Sequence, residues 1–190
     1  MVAINPLQRA PETIDFASPS QFRFTLLKIP TVEYFTTQAN VPGISFTGDA
    51  TVNTRFKSLA FMGDTLDFAD LEITFLVSET LQNYREIHDW MTGIAFPKNT
   101  EQFANAVAAD AATTPRPATG NAKRVNPSVL QSDATLTILS NKNNPNLRVN
   151  FKNCYPTSLS GLNYSTQNTD SEQLTATATF KYDLYEFEVL

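Results

Sequence analysis

Apolar and polar residues alternate with a period of two along most of the chain. Phe22, Phe24 and Leu26 alternate with Arg23, Thr25 and Leu27, and Leu71, Ile73, Phe75 and Val77 with Glu72, Thr74, Leu76 and Ser78. This is the spacing of half-buried strands. The pattern returns in DATLTIL (133–139) and LRVNFKNCYP (147–156), which flank a turn at SNKNNPN (140–146). Over 174–189, Leu174, Ala176, Ala178, Phe180 and Tyr182 share one face, and Thr175, Thr177, Thr179, Lys181 and Asp183 the other. Threonine on the polar parity suits a pleated surface. Pro30 is expected to stop the first strand, a second extended stretch is expected at Tyr34–Asn40, and Pro42-Gly43 turns the chain.

The period changes to that of a helix in TLQNYREIHDWMTGI, where Tyr84, Ile87, Met91 and Ile94 recur at three or four positions and Trp90 widens the stripe. Ser78 or Thr80 is positioned to cap its start, and Gly93 and Pro97 to end it. These elements predict a mainly β protein, a small antiparallel β-barrel or sandwich with one packed α-helix.

Residues 44–61 behave differently. One parity holds Phe46, Gly48, Ala50, Val52, Thr54, Phe56 and Ser58; the other holds Thr47, Asp49, Thr51, Asn53, Arg55 and Lys57. The pattern predicts a protruding hairpin that a small domain cannot bury, and a two-stranded ribbon alone needs another surface. Ala60–Asp64 would end this hairpin and Thr65–Asp70 lead back to the body. At the N-terminus, residues 1–20 hold three prolines and little periodicity and read as an extended arm. Residues 21–190 then form one domain, with an Ala/Thr/Pro-rich insertion at about 97–127. Within it, 101–112 is expected to hold a turn or two of helix and 113–127 an exposed loop.

At 190 residues with 14 Phe and 6 Tyr, the chain has enough apolar mass for a core without covalent staples. Its net charge of −5, and the lack of any basic block longer than Lys123-Arg124, argue against wrapping nucleic acid electrostatically. A single cysteine, Cys154, excludes an internal disulfide and a multi-cysteine metal site, and reads as a small buried residue. No stretch is long enough for a bilayer span, and the opening residues lack the regions of a signal peptide.

Motifs for nucleotide, zinc, calcium or nucleophilic serine chemistry are missing from the sequence. The only histidine, His88, has no second histidine to share a metal and is placed on the flank of the helical stripe. One acidic group remains as a candidate. Asp64, Asp67 and Asp70 are spaced by three and are followed by Glu72 on the polar parity of a strand. Calcium sites use denser oxygen donors in a pinned loop, and a glycosidase pair needs a cleft around it, so these acids read as a charged surface. Residues 61–102 carry eight acids against Arg85 and Lys98, an uneven distribution suited to repulsion or docking. No catalytic, metal-ligating or cofactor-binding residue is assigned, and no cofactor is expected.

The order of features resembles a known family. QFRFTLLKI is followed by YFTTQANVPGI, a long hairpin with GDTLDF, then LEITFLVSETLQNYREIHDWM, and last CYPTSLSGLNYSTQNTDSEQLTATATFKYDLYEF. Over roughly 20–96 and 130–188 this resembles the inner tail tube protein of contractile-tailed bacteriophages of the T4-like kind, itself similar in fold to the ring protein of type VI secretion. The resemblance implies a homohexameric ring in which each subunit lends a hairpin, here about 45–61, to a barrel around a channel. Rings would stack inside a sheath, with baseplate and tail terminator proteins at the ends. The channel would hold the tape-measure protein and later pass DNA without sequence-specific binding. It further implies assembly in the host cytoplasm, a place in the virion and no membrane partner. Thr47, Asp49, Thr51, Asn53, Arg55 and Lys57 become candidates for the hairpin face that lines the lumen. A related tail component (initiator, terminator or completion protein) is the first alternative, and a small β-barrel enzyme or carbohydrate-binding module using the acids is the second.

Overall fold

The computed structural model describes residues 16–95, 97–105, 130–165 and 173–190. Eleven strands and two helices follow in chain order: β1 (Phe22–Leu26), α1 (Pro30–Phe35), β2 (Thr36–Ala39), β3 (Ile44–Thr47), β4 (Ala50–Asn53), β5 (Ser58–Phe61), β6 (Thr65–Phe68), β7 (Leu71–Leu76), α2 (Gln82–Ala95), β8 (Ser132–Leu139), β9 (Pro145–Leu159), β10 (Thr175–Lys181) and β11 (Leu184–Val189). A further helical stretch covers 100–105. Of the predicted insertion, the remainder up to residue 127 lies outside the described residues, as do Lys123-Arg124 and most of the predicted arm.

Every strand pair is antiparallel. One face of the body runs β1-β8-β9-β11 and the other β9-β10-β7-β2. Both contain β9, which bends from one to the other. Its first half pairs with β8 and β11 up to Lys152 and Cys154, and its second half pairs with β10 from Tyr155. Asn153 sits at the corner with φ 57°, a left-handed conformation that asparagine tolerates. Its backbone N–H donates to Asp133 Oδ1 at 3.1 Å, and its side-chain amide donates to Asp183 Oδ2 at 2.6 Å. The outer edges of β1 and β2 remain unpaired with each other, so the architecture is an open β-sandwich rather than a closed barrel.

The predicted apolar parities fill the space between the faces. Phe24, Leu26, Leu71, Ile73, Phe75, Ala134, Leu136, Val149, Phe151, Ala176, Ala178 and Phe180 are all buried. Helix α2 packs on this core through Ile87 and Trp90, whose ring lies 6.0 Å from that of Phe180 and whose Nε1 donates to Leu130 O at 2.8 Å. Leu81 flanks the helix start, and Ser78 Oγ, though not the capping residue, accepts the free N–H of Gln82 at 3.1 Å. The buried Asn83 completes the join: its Oδ1 accepts from the N–H groups of Ser78 and Tyr84, and its Nδ2 donates to Leu76 O.

Four boundaries differ from the sequence expectation. Pro30 opens helix α1 instead of only closing β1, because a first-turn position needs no proline N–H; Tyr34 and Phe35 are therefore helical. Helix α2 runs through the buried Gly93 to Ala95, two residues before Pro97. Strand β9 passes through Pro156 to Leu159, with a register shift against β10 beside Phe180–Pro156, the kind of irregularity where a strand accommodates proline. The last strand breaks at Tyr182-Asp183 into β10 and β11, which serve opposite faces.

Candidate functional site: the projecting ribbon

The predicted hairpin is a two-part ribbon from Ile44 to Phe68, longer than 44–61. In its base, β3 pairs with β6 (Ile44↔Phe68, Ser45↔Asp67, Phe46↔Leu66, Thr47↔Thr65); in its outer half, β4 pairs with β5 (Ala50↔Phe61, Thr51↔Ala60, Val52↔Leu59, Asn53↔Ser58). Thr65–Phe68, expected only to lead back, is its fourth strand.

Residues directly opposite in an antiparallel pair share a face. In the base, Ile44, Phe46, Leu66 and Phe68 make an apolar face, and Ser45, Thr47, Thr65 and Asp67 a polar one. In the outer half, Ala50, Val52, Leu59 and Phe61 stand on one face, and Thr51, Asn53, Ser58 and Ala60 on the other. Such sorting normally places one side against a core. Here both sides face solvent: β3, β4 and β5 contain no buried residue, and Phe46 is 61% exposed.

A bulge joins the halves. Between the Ala50–Phe61 and Thr47–Thr65 pairs the outgoing chain has Gly48 and Asp49, while the returning chain has Met62, Gly63 and Asp64. Slipping a strand by one residue reverses its faces, and the apolar residues of the return strand shift parity between Phe61 and Leu66. The extra residue absorbs that shift. The glycines make the bulge possible: Gly48 has φ 83°, and a Cβ on Gly63 would stand 2.3 Å from Thr47 O.

At the tip, Thr54 N–H donates to Lys57 O at 3.0 Å and Lys57 N–H to Thr54 Oγ1 at 3.2 Å, leaving Phe56 93% exposed. The lumen candidates are thus divided. Thr47, Thr51 and Asn53 lie on polar faces, Asp49 lies in the bulge, and Arg55 and Lys57 lie in the tip.

The ribbon is seated on the body by two tyrosines from the β10–β11 corner. Tyr182 Oη donates to Ala69 O at 2.8 Å and Tyr185 Oη to Pro42 O at 3.1 Å, so one hydroxyl holds each end of the ribbon. Phe68 packs edge-on against both rings, with centroids 6.2 and 5.6 Å apart. Burial, reinforced by the neighbouring Tyr185, Asp70 and Cys154, pushes the Tyr182 hydroxyl up to about 12, which keeps it a donor. These anchors belong to the YDLYEF stretch, but their partners lie 113 and 143 residues away and are not visible in its pattern.

The acids do not converge. Asp64 is in the bulge, Asp67 on the polar face of the base, Asp70 in the connector to β7, and Glu72 exposed on β7 opposite Thr179. Asp67 and Asp70 line a shallow cleft of about 270 Å³ with Asp183, Lys181, Tyr155 and Tyr182. Among the described residues no three His, Cys, Asp or Glu side chains are grouped to hold a metal ion. His88 is exposed on α2 and meets Asp89 at 3.2 Å. Burial, with smaller contributions from Asp133 and Asp183, pushes the Cys154 thiol up to about 12 and makes it a packing residue. No helix of the described residues is long and apolar enough to cross a membrane.

The fold recurs in chains of solved cryo-EM structures. A chain of the cryo-EM structure of the anti-feeding prophage baseplate, six-fold symmetrised, superposes with a TM-score of 0.60 at 8% identity, covering 93% of this chain and 98% of that one. The tube-terminating cap of the anti-feeding prophage gives 0.57 at 13% identity, covering 98% and 100%. The sheath/tube terminator of an extracellular contractile injection system gives 0.52 at 14%, covering 93% and 100%. At these identities the likeness is one of fold. No curated protein sequence matches the chain significantly. Residues 10–188, however, match the phage tail tube protein family, and the chain belongs to that family of structural, non-enzymatic proteins.

Proposed function

We infer that the chain is the ring-forming subunit of a contractile tail tube. Six copies close into a ring, and rings stack inside a sheath around a channel for the tape-measure protein and DNA. Baseplate and terminator proteins meet the tube ends, and the tube, built in the host cytoplasm, becomes part of the virion. The observation that carries this reading is the ribbon: its residues are sorted into apolar and polar faces, yet beyond Phe68 the chain covers neither. A ring supplies both missing environments, neighbouring protein for Ile44, Phe46, Val52, Leu59, Phe61 and Leu66, and water for the polar side.

In this reading Thr47, Thr51 and Asn53, with Ser45, line the channel. These neutral hydroxyl and amide groups carry no positive charge to hold phosphate electrostatically. Arg55 and Lys57, at the tip, serve subunit contacts. Asp64 in the bulge, Asp70 in the connector and Glu72 on β7 act as charged surface. The six-fold symmetry stated for the anti-feeding prophage baseplate supports the count of six.

Negative-stain imaging of the purified chain tests the proposal, and stacked hollow rings are the expected result. Replacing residues 50–61 by a two-residue turn should leave a folded body that forms no rings. A wild-type chain that stays monomeric at every concentration overturns the reading. The alternative role, an end component, draws on the fold likeness to a tube-terminating cap and a sheath/tube terminator; such a protein would form single rings that do not stack.

A further inference from the structure

A second uncovered apolar surface lies beside the ribbon root. On β11, Phe187 pairs with the buried Val149, and Val189 with Leu147, so both stand on the core face of their sheet. Nevertheless Phe187 is 57% and Val189 80% exposed. The core face continues past the sandwich and emerges into solvent. It is joined to the apolar face of the ribbon through aromatic contacts: Phe68 touches Tyr185 at 5.6 Å, and Tyr185 touches Phe187 at 5.5 Å.

Charge is divided along the same path. Arg55 and Lys57 at the ribbon tip enter none of the ion pairs formed by the described residues. The cleft at the ribbon root has the opposite balance, Asp67, Asp70 and Asp183 against Lys181. The outgoing ribbon from Ile44 to Asn53 has ten residues, about 33 Å of extended chain, against about 19 Å for the width of four strands. A neighbour's ribbon is therefore long enough to cross an entire sheet.

We propose that the occupant of the Phe187–Val189 flank is the ribbon of a second copy, laid apolar face down, with its Arg55 and Lys57 reaching the receiving copy's Asp67 and Asp70. The contact is heterologous: donor and receiver surfaces differ, both are present on every chain, and repetition closes a ring. The proposal rests on the ring-forming reading and adds to it a receiving surface and a direction. Phe187 and Val189 supply the apolar contact, and the charges select register and partner.

The test uses two full-length charge-reversed chains, one carrying Arg55→Glu and Lys57→Glu, the other Asp67→Lys and Asp70→Lys. Alone, each places like charges at every contact and should need about tenfold or more protein to form rings. Mixed in equal amounts, they should regain wild-type assembly, because a ring alternating the two has opposite charges at every contact. Mass photometry and negative stain read the result. Rescue by mixing also shows that both variants are folded. Separately, Phe187→Asp should abolish rings while leaving a folded monomer by circular dichroism. If wild-type chains form rings and the reversed chains assemble equally well, or fail to rescue one another, this receiving surface is wrong and the ring reading stands. If wild-type chains form no rings, both fall.

Discussion

The sandwich body and the ribbon are written in the same alternating code and use it to opposite ends. In the body, one parity is apolar and buried: Phe24 and Leu26 on β1, Leu71, Ile73 and Phe75 on β7, Ala176, Ala178 and Phe180 on β10. In the ribbon, one face is equally apolar, and apart from Phe68 it remains in solvent. The body therefore covers its own apolar parity, whereas the ribbon leaves most of its apolar face exposed. A sequence pattern specifies which side of a strand seeks cover without specifying whether its own chain provides it.

The largest effect that separates the two regions is expected from Phe151→Ala. Its side chain is fully buried and touches the rings of Tyr182 and Tyr185, so its loss should cost about 3–5 kcal/mol in denaturant unfolding. The buried Cys154 gives a second readout: its thiol should resist labelling in the native wild type and react after unfolding. Next comes Gly63→Ala, which drives a methyl group into Thr47 O and should weaken the β3–β6 pairing by about 1–3 kcal/mol. Hydrogen exchange should rise at 44–47 and 65–68, while β7 and β10 stay protected.

Tyr182→Phe, which removes one seat of the ribbon, should cost about 1 kcal/mol. It has a pH signature as well. The native state raises the tyrosine from its ordinary 10 to about 12, holding its proton more tightly than the unfolded chain does. Its contribution is thus fully present below pH 10 and is lost as pH rises toward 12. An alkaline unfolding curve should lose this component in Tyr182→Phe. The smallest effect on the monomer is expected from Phe61→Ser, within about 0.5 kcal/mol because the side chain is exposed. That variant should nevertheless impair ring formation, and normal assembly would break the contrast between the regions.

Much of the body was legible in the sequence because its strands alternate with one side buried, and because the stripe of α2 does reach the core through Ile87 and Trp90. Helix α1 was hidden by its brevity: six residues with Val32 alone buried carry no period, and Pro30 signals a start as readily as a stop. The break at Tyr182-Asp183 did leave a signal, because the apolar parity moves from Ala176, Ala178, Phe180 and Tyr182 to Tyr185, Phe187 and Val189. For the ribbon, alternation in Ser58–Phe61 and Thr65–Phe68 was available as a signal, but the parity shift at the bulge disguised the two as unrelated segments. The seats at Pro42 and Ala69 depend on hydroxyl contacts that no local pattern encodes. The acidic quartet illustrates the converse: close spacing in sequence brought only Asp67 and Asp70 to one cleft and left Asp64 and Glu72 apart.

The two tyrosine seats also impose an order in time. Because they join residues 113 and 143 positions apart, a chain emerging N-terminus first has made its ribbon long before it has made the residues that hold it. A nascent chain thus presents an exposed apolar strip without a fixed pose. Only when Tyr182 and Tyr185 have been made can the strip acquire the direction that their hydroxyls fix.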